Sequence, residues 1–386
     1  MKHVVLLTID TLRKDVLGCY GSQRGVTPFL DSLQSHCLRF ENAYSGGSYT
    51  QAAFPGILTS SHYLQYPKRK KLSPERTLVS TPLKKAGITT AAFHSNPYLC
   101  GFFGWNRDWD TFYDSMMDDV TDECPYIKAD VINRKVKGWL GSRTDPNTPF
   151  FLWTHYMDVH EPYVPEKQYM DAIDPSLDPS REKMMDLFQN VVLKRDVSDK
   201  NTVELLRKLY LAHVKEIDDA VKTFFGILEE AGVLENSIVI ITADHGDEFG
   251  EHGGLSHDGK MYDELVNVPL LVYDADRTEP MVSDTIVSTL DIAPTVLNLL
   301  NVDPVEGYLG QPLLPLDGYT ADGAYGEAVD KHGSQEQGEE KRVCYYRKGD
   351  LKIIHGERDN LWELYHLKDD PKEKTISWRP IPRPRT

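Results

Sequence analysis

The stretch SIVIIT, Ser237 to Thr242, runs directly into ADHGDEFGEHG, residues 243 to 253. A short unbroken run of β-branched residues is what a strand shows when both of its faces are covered. That places it in the interior of a layered, mainly parallel sheet. The run ends in Asp244 and His245, followed by a loop broken by glycines. In open α/β sheets, ligands bind in the crevice beyond the carboxyl ends of the strands. A carboxylate and an imidazole side by side there are either a hydrogen-bonded structural pair or the start of a divalent-cation site. Two more runs repeat the pattern. HVVLLTI, His3 to Ile9, stops at Asp10, which is either a ligand or a cap for the next helix. PFFLWTHYMDVHEP, Pro149 to Pro162, runs into Asp158 and His160.

A hydroxyl is delivered near these tips by Gly46-Gly47-Ser48-Tyr49-Thr50, ahead of an apolar segment that ends Ile57-Leu58-Thr59-Ser60. Pro55 and Gly56 predict a helix starting near Phe54, since proline is tolerated only in the first turn. Thr50 would then sit just before a helix N-terminus, where free N–H groups favour an anion. Helices are also predicted from Thr27-Pro28, over Thr77–Ala86 and Tyr126–Leu140, and over Thr202–Ala231. In the last of these, Asp218 and Asp219 read as surface or packing partners. A strand from Ile88 to Phe93 leads to His94, Ser95 and Asn96. This alternation predicts a mainly parallel sheet with helices on both faces.

From about residue 320, GEAVD, RVCYYRKGD, LKIIHG and LWELYHL predict a small antiparallel sheet with one packing helix. The expected organisation is a catalytic α/β domain over 1–318, a small α+β subdomain over 319–376 and a flexible tail over 377–386. Val164 to Lys200, rich in Pro, Asp, Lys and Met and directly after His160, is the expected substrate-facing lid.

With 386 residues, 40% hydrophobic and 26% charged, the chain is long enough for a large domain and a small one. A net charge of −16 argues against nucleic acid or an anionic membrane as partner. An anionic substrate must then be drawn in by local charge. No stretch approaches the roughly 20 apolar residues that span a bilayer. The first apolar run lacks the basic flank and the length of an export signal. The five cysteines, Cys19, Cys37, Cys100, Cys124 and Cys344, are odd in number and lack a C-x-x-C pair. This suits reduced thiols and a cytoplasmic setting.

Taken in order, these segments resemble the sulfatase family of the alkaline phosphatase superfamily over nearly the whole chain. VVLLTIDTLRKDVLGCYG resembles its opening strand, TQAAFPGILTS its nucleophile segment and FFLWTHYMDVHEPY the strand carrying an active-site His. ADHGDEFGEHG and MYDELVNVPLLV resemble its second metal loop and the strand after it. DIAPTVLNLL and LWELYHLKDDPKEKT resemble its late helix and closing segment. The resemblance implies an alkaline-phosphatase-like three-layer sandwich with a small C-terminal antiparallel subdomain. It places Asp10, Asp244 and His245 on metal-ligand positions, with Thr50 as nucleophile and further ligand. His160 falls on the His that meets the transferred group or leaving oxygen. His257 falls near the substrate anion, with Lys260 as its substitute if the loop register slips.

The departures carry chemistry. Family members with Cys or Ser at the nucleophile position oxidise it to formylglycine, with Pro and Arg after it; this chain has Thr50, Ala52 and Phe54. Oxidised threonine would be a ketone, which closes the formylglycine route. A second Asp is replaced by Thr11, and a Lys and His beyond the next strand by Ser95 and Pro97. Asn96 between them, and Arg107 in the Trp105-Asn106-Arg107 cluster, are expected to contact substrate. His155 reads as a core side chain and His252 as a loop-fixing one, while Asp247, Glu248 and Glu251 read as a solvated rim.

One divalent ion is expected, Mn, Zn, Mg or Ca, with Asp158, His160 and His257 available for a less expected second. The expected substrate is a small sulfate or phosphate ester, with the phosphomonoester and phosphodiester classes favoured. A sulfatase using Thr50 directly and a non-catalytic binding relative are the alternatives.

Overall fold

The computed structural model describes residues 2–67, 71–118, 126–145, 147–178, 180–330 and 341–377. The strands in chain order are β1 (His3–Ile9), β2 (Cys37–Tyr44), β3 (Thr89–His94), β4 (Thr111–Asp114), β5 (Phe150–Tyr156) and β6 (Ser237–Ala243). Two short ones, β7 (Glu248–Phe249) and β8 (Leu255–Ser256), precede β9 (Leu270–Asp274), β10 (Met281–Ser288), β11 (Ala324–Asp330), β12 (Lys341–Lys348), β13 (Leu351–Gly356) and β14 (Leu361–His366). The helices are α1 (Pro28–Ser32), α2 (Thr50–Thr59), α3 (Ser80–Lys85), α4 (Ala129–Gly141), α5 (Lys167–Ile173), α6 (Arg181–Leu187), α7 (Lys200–Glu230), α8 (Asp263–Val266) and α9 (Ile292–Leu299).

Eight strands form the central sheet in the order β10-β2-β9-β6-β1-β5-β3-β4. β1 lies between β6 and β5, parallel to both, and only β9 runs against its neighbours. This explains the sequence pattern: every residue of β1, β5 and β6 is buried, so none of the three alternates apolar with polar. The long α7 packs on α1, α4 and α5, while α2 packs on α9, and these two groups complete the layers. Asp218 is buried and caps α1, accepting hydrogen bonds from the backbone N–H of Phe29 and Leu30.

Two expectations need correction. α2 begins at Thr50, four residues before the predicted start, and carries Pro55 inside it. The helix accepts the missing N–H because its whole remaining length from Ala52 is packed in the core. The C-terminal unit is the antiparallel sheet β11-β12-β13-β14, and the packing helix expected with it is absent among the described residues. Its closing segment is a strand as expected, alternating with Glu363, Tyr365 and Leu367 turned inward. Lys352 on β13 is fully buried and bonds Asp263 and Glu373, 2.6 and 2.9 Å away, tying this sheet to the start of α8, just before β9. The tail from Arg379 and Cys124 lie outside the described residues. Among the described residues no helix is long and apolar enough to cross a membrane.

Candidate active site

Register brings the two acidic tips together. Ile9 pairs with Ala243 across β1 and β6, so Asp10 and Asp244 leave the sheet at the same level. Thr11 takes a left-handed conformation, φ 56°, which turns the chain off the sheet just after the ligand position. Its backbone N–H points at Asp244 Oδ1, 3.4 Å away, and that oxygen also accepts the N–H of His245 at 3.0 Å. Gly246 comes next because nothing larger fits: a Cβ there would stand 2.0 Å from the Glu264 carbonyl oxygen. Gly246→Ala is expected to cost about 1–3 kcal/mol through this overlap, seen as a lowered midpoint in thermal denaturation.

Asp10, Asp244 and His245 place one ligand atom each within 4.8 Å of one another, and all three residues are fully buried. Asp10 Oδ1 and Asp244 Oδ2 lack any hydrogen-bond partner among the described residues. They lie 3.5 and 3.4 Å from His245 Nε2. His245 Nδ1 is 3.0 Å from the Gly246 carbonyl, so the proton sits on Nδ1 and the Nε2 lone pair faces the carboxylates. Burial, with His257 beside it, pushes the His245 imidazole down to about 3, so it stays neutral and able to donate to a metal. Buried carboxylate oxygens left without partners are costly. A divalent cation would satisfy both of these, and the donor set of two carboxylates and one imidazole fits Mn²⁺, Mg²⁺, Ca²⁺ or Zn²⁺.

Burial would raise Asp10, but His155, His160 and His245 overcome it and hold the carboxyl well below the usual range. Asp244 moves the other way, well above, through burial and the proximity of Asp10. A relay behind β1 orients Asp10. Trp153 donates to Thr8 Oγ1 at 3.1 Å, and Thr8 Oγ1 is 2.9 Å from His155 Nδ1. The other nitrogen of His155 lies 3.3 Å from Asp10 Oδ2. His155 is therefore core, as its place in a strand predicts, and also a support for a ligand position.

Thr50, at the first turn of α2, presents Oγ1 3.5 Å from both Asp10 Oδ2 and His245 Nε2. Gly47 makes this approach available, since a Cβ there would meet Ala52 at 2.4 Å. Asn96 donates to Asp10 Oδ2 at 2.8 Å, and its Nδ2 lies 3.4 Å from Thr50 Oγ1. Thr50, His160, Glu161, Arg195 and His257 line one cavity of about 260 Å³. Val192 and Leu193 complete it from the segment expected to be a lid. The π-helical turn Phe188–Val192 delivers them there, just beyond α6.

Seven of the expected residues thus converge: Asp10, Thr50, Asn96, Asp244, His245, His257 and His160, the last packed 4.9 Å from His257 ring to ring. Three do not. The Lys260 ammonium is held by Glu248 at 2.6 Å and the His252 carbonyl at 3.0 Å, so it braces its own loop, and the loop register has not slipped. Arg107 donates to the carbonyls of Ser73, Pro74 and Arg76 and stabilises a turn. Asp158 accepts the Ala129 N–H at the start of α4, with burial pushing it up to about 7, and so is turned away from His160. His252 fixes its loop as expected, 2.5 Å from Glu264.

Sequence reading missed two acids. Asp247, expected on a solvated rim, is fully buried. Its Oδ1 is 2.8 Å from His257 Nδ1, and its Oδ2 accepts the Tyr163 hydroxyl at 2.6 Å. Glu161 accepts the Ser256 hydroxyl at 2.7 Å and lies 3.5 and 3.8 Å from the Nδ1 atoms of His160 and His257. Burial would lower His257, but Glu161 and Asp247 raise it to about 9. The available signal was sequence adjacency: one acid comes directly after His160 and the other is two residues past His245. Glu248 is also buried; it bonds Lys260 and the N–H groups of His252 and Gly254. Glu251 is half-buried between Arg13 and Arg207.

The sulfatase sequence profile matches residues 2–302, and that of the N-sulphoglucosamine sulphohydrolase C-terminal region matches residues 250–378. An arylsulfatase of Clostridium perfringens is 24% identical over 97% of this chain and 89% of its own. Among solved structures, the phosphonate monoester hydrolase of Agrobacterium radiobacter superposes with a TM-score of 0.79 at 18% identity, covering 97% of this chain and 91% of its own. A protein bound to D-glucosamine-2-N,6-O-disulfate does so at 0.80 and 20%, covering 97% and 93%. These structures share the fold, a large mainly parallel sheet with a small antiparallel one. On the profile match across most of its length, the chain belongs to the sulfatase family of the alkaline phosphatase superfamily, a family of ester hydrolases.

Proposed function

We propose that this chain hydrolyses phosphate or sulfate esters with Thr50 as a direct nucleophile, and that phosphate mono- or diesters are its better substrates. One observation carries the reading: a hydroxyl stands 3.5 Å from two ligand positions, on the wall of a cavity that also holds two imidazoles. A divalent ion held by Asp10, Asp244 and His245 would acidify the Thr50 hydroxyl and offset charge on the ester oxygens. Thr50 Oγ, its proton released to solvent, forms a bond to phosphorus or sulfur while the bond to the leaving oxygen breaks. His257, or His160 beside it, gives that oxygen its proton. In the second half water attacks the esterified Thr50, the same imidazole takes the proton, and the Thr50–phosphorus or –sulfur bond breaks. Asn96 holds Asp10 and Thr50 in register throughout.

Phosphate is preferred on chemical grounds. A phospho-threonine is released by repeating the first half with water, whereas a sulfo-threonine lacks the hemiacetal exit that formylglycine supplies. The sulfate reading is supported by the C. perfringens relative, named an arylsulfatase. Purified protein with each metal in turn is expected to turn over aryl phosphates or phosphodiesters faster than the matching aryl sulfate; the reverse order removes the preference. Asp247 is expected to position His257. Asp247→Asn should leave metal content intact and lower kcat about tenfold or more, measured by steady-state kinetics beside elemental analysis. A reduced, cytoplasmic setting also belongs to this reading, in keeping with the unpaired cysteines Cys19, Cys37, Cys100 and Cys344.

A further inference from the structure

Both carboxylates at the strand tips are divided in the same way, with one oxygen occupied and one bare. On Asp244, Oδ1 accepts the His245 N–H at 3.0 Å and faces the Thr11 N–H at 3.4 Å, while Oδ2 has no hydrogen-bond partner among the described residues. On Asp10, Oδ2 accepts the Asn96 amide at 2.8 Å, with His155 Nε2 at 3.3 Å and Thr50 Oγ1 at 3.5 Å, while Oδ1 has none. The two bare oxygens converge: they lie 3.5 and 3.4 Å from a single atom, His245 Nε2.

The division at Asp10 is built from deep in the sheet. Trp153 Nε1 can only donate, and it gives its proton to Thr8 Oγ1 at 3.1 Å. The Thr8 hydroxyl is then left to donate, and His155 Nδ1 at 2.9 Å is a nearer acceptor than the Thr154 carbonyl at 3.4 Å. With Nδ1 accepting, the ring proton is on Nε2, the nitrogen that faces Asp10 Oδ2. The ring is held in this pose. It is fully buried and edge-on to Phe54, with centres 5.0 Å apart, and Trp153 beside it stacks on His94 at 5.9 Å. Asp10 therefore has one oxygen to give an ion. Asp244 has one as well, its other oxygen being engaged by the backbone of the turn at Thr11.

Two single carboxylate oxygens, one imidazole and Thr50 Oγ1 make a set of four. Calcium gathers six to eight oxygens, carboxylates binding it through one or both of theirs. Zinc is satisfied by four mixed nitrogen and oxygen ligands, and imidazole draws first-row transition ions in general. We propose that His155 is a positioning residue which, through Thr8 and beside Asn96, holds Asp10 to a single ligand oxygen, and that the site thereby selects Zn²⁺ or Mn²⁺ over Ca²⁺. The proposal rests on the metal reading above and deepens it.

The test titrates Zn²⁺, Mn²⁺ and Ca²⁺ into the metal-free full chain by calorimetry, with Asp244→Asn as the blank and no ester present. Wild type is expected to bind the first two about 100-fold or more tighter than Ca²⁺. His155→Phe keeps a flat ring against Phe54 and removes the donor. Thr8→Val keeps the shape and frees the tautomer, and it carries the comparison if His155→Phe does not fold. In either variant the Kd for Zn²⁺ and Mn²⁺ should weaken about tenfold or more while that for Ca²⁺ moves less, so the ratio shrinks. A purely structural loss would lower the melting temperature and weaken all three ions alike. That result overturns the proposal, as does Ca²⁺ binding within tenfold of Mn²⁺ in wild type, or a ratio that ignores both substitutions. If the ions bind with this selectivity and no ester is turned over, the hydrolase reading falls and the proposal stands. Esters turned over equally fast with Ca²⁺ and with Mn²⁺ leave the hydrolase reading and remove the proposal.

Discussion

Thr50→Ala is expected to lower kcat by about 10³-fold or more on any ester the wild-type protein hydrolyses. The γ-methyl goes with the hydroxyl, a loss of two heavy atoms, but alanine is the best helix former and keeps the first turn of α2, so the fold is expected to be preserved. Asp10, Asp244 and His245 stay in place to hold the cation. What disappears is the hydroxyl oxygen that this helix presents to both ligand positions at 3.5 Å. Thr50→Ser keeps the hydroxyl and should remain within about tenfold of wild type. Acid-quenched wild type should carry the mass of one added phosphoryl or sulfuryl group on the peptide containing Thr50, and Thr50→Ala should carry none. An alanine variant that keeps a tenth of the activity would mean that water, not Thr50, is the attacking group.

The second expectation concerns the cation and has opposite signs in two buffers. In chelator, Asp10 and Asp244 are two fully buried carboxylates, and the upward displacement of Asp244 comes first from its burial and then from the nearby Asp10 charge. Asn at 244 keeps the oxygen that accepts from Thr11 and His245, removes one of the two buried charges, and puts a donor where the orphaned oxygen stands, 3.4 Å from His245 Nε2. Metal-free Asp244→Asn should therefore melt above metal-free wild type. With metal at a hundred times its Kd, wild type gains about 2.7 kcal/mol that the variant cannot match, so the order reverses. Elemental analysis should show near-stoichiometric metal in wild type and little in the variant, with activity reduced about 10³-fold. Melting curves that keep the same order in both buffers would mean that these tips do not hold an ion.

How far the sequence could be read depended on what each residue's position is decided by. Asp10, Asp244 and His245 stand at the ends of strands with every residue buried, so their height above the sheet is a matter of counting, and the pairing of Ile9 with Ala243 makes the counts agree. Thr50 does reach Asp10 and His245, but the start of its helix differs from the reading, because Pro55 signals a first turn by local propensity while the core decides the outcome. Lys260 and His257 sit in one loop, three residues apart, and only tertiary contacts select between them: Glu248 takes the ammonium and Asp247 the imidazole. The same holds for Arg107, whose guanidinium is consumed by three carbonyls that no motif announces. Asp247 and Glu161 were hidden for a general reason. An acid in a polar loop looks solvated until the elements that bury it, here Tyr163 and the turn carrying Ser256, are in place.

The alignment of β1 with β6 has a consequence for biogenesis. The residues proposed to hold the ion, at position 10 and positions 244–245, meet only when the first strand has accepted a partner made much later. A nascent or truncated chain therefore has nothing with which to capture the ion. Loading becomes a certificate of completed assembly, and reactivity stays silent in every unfinished molecule.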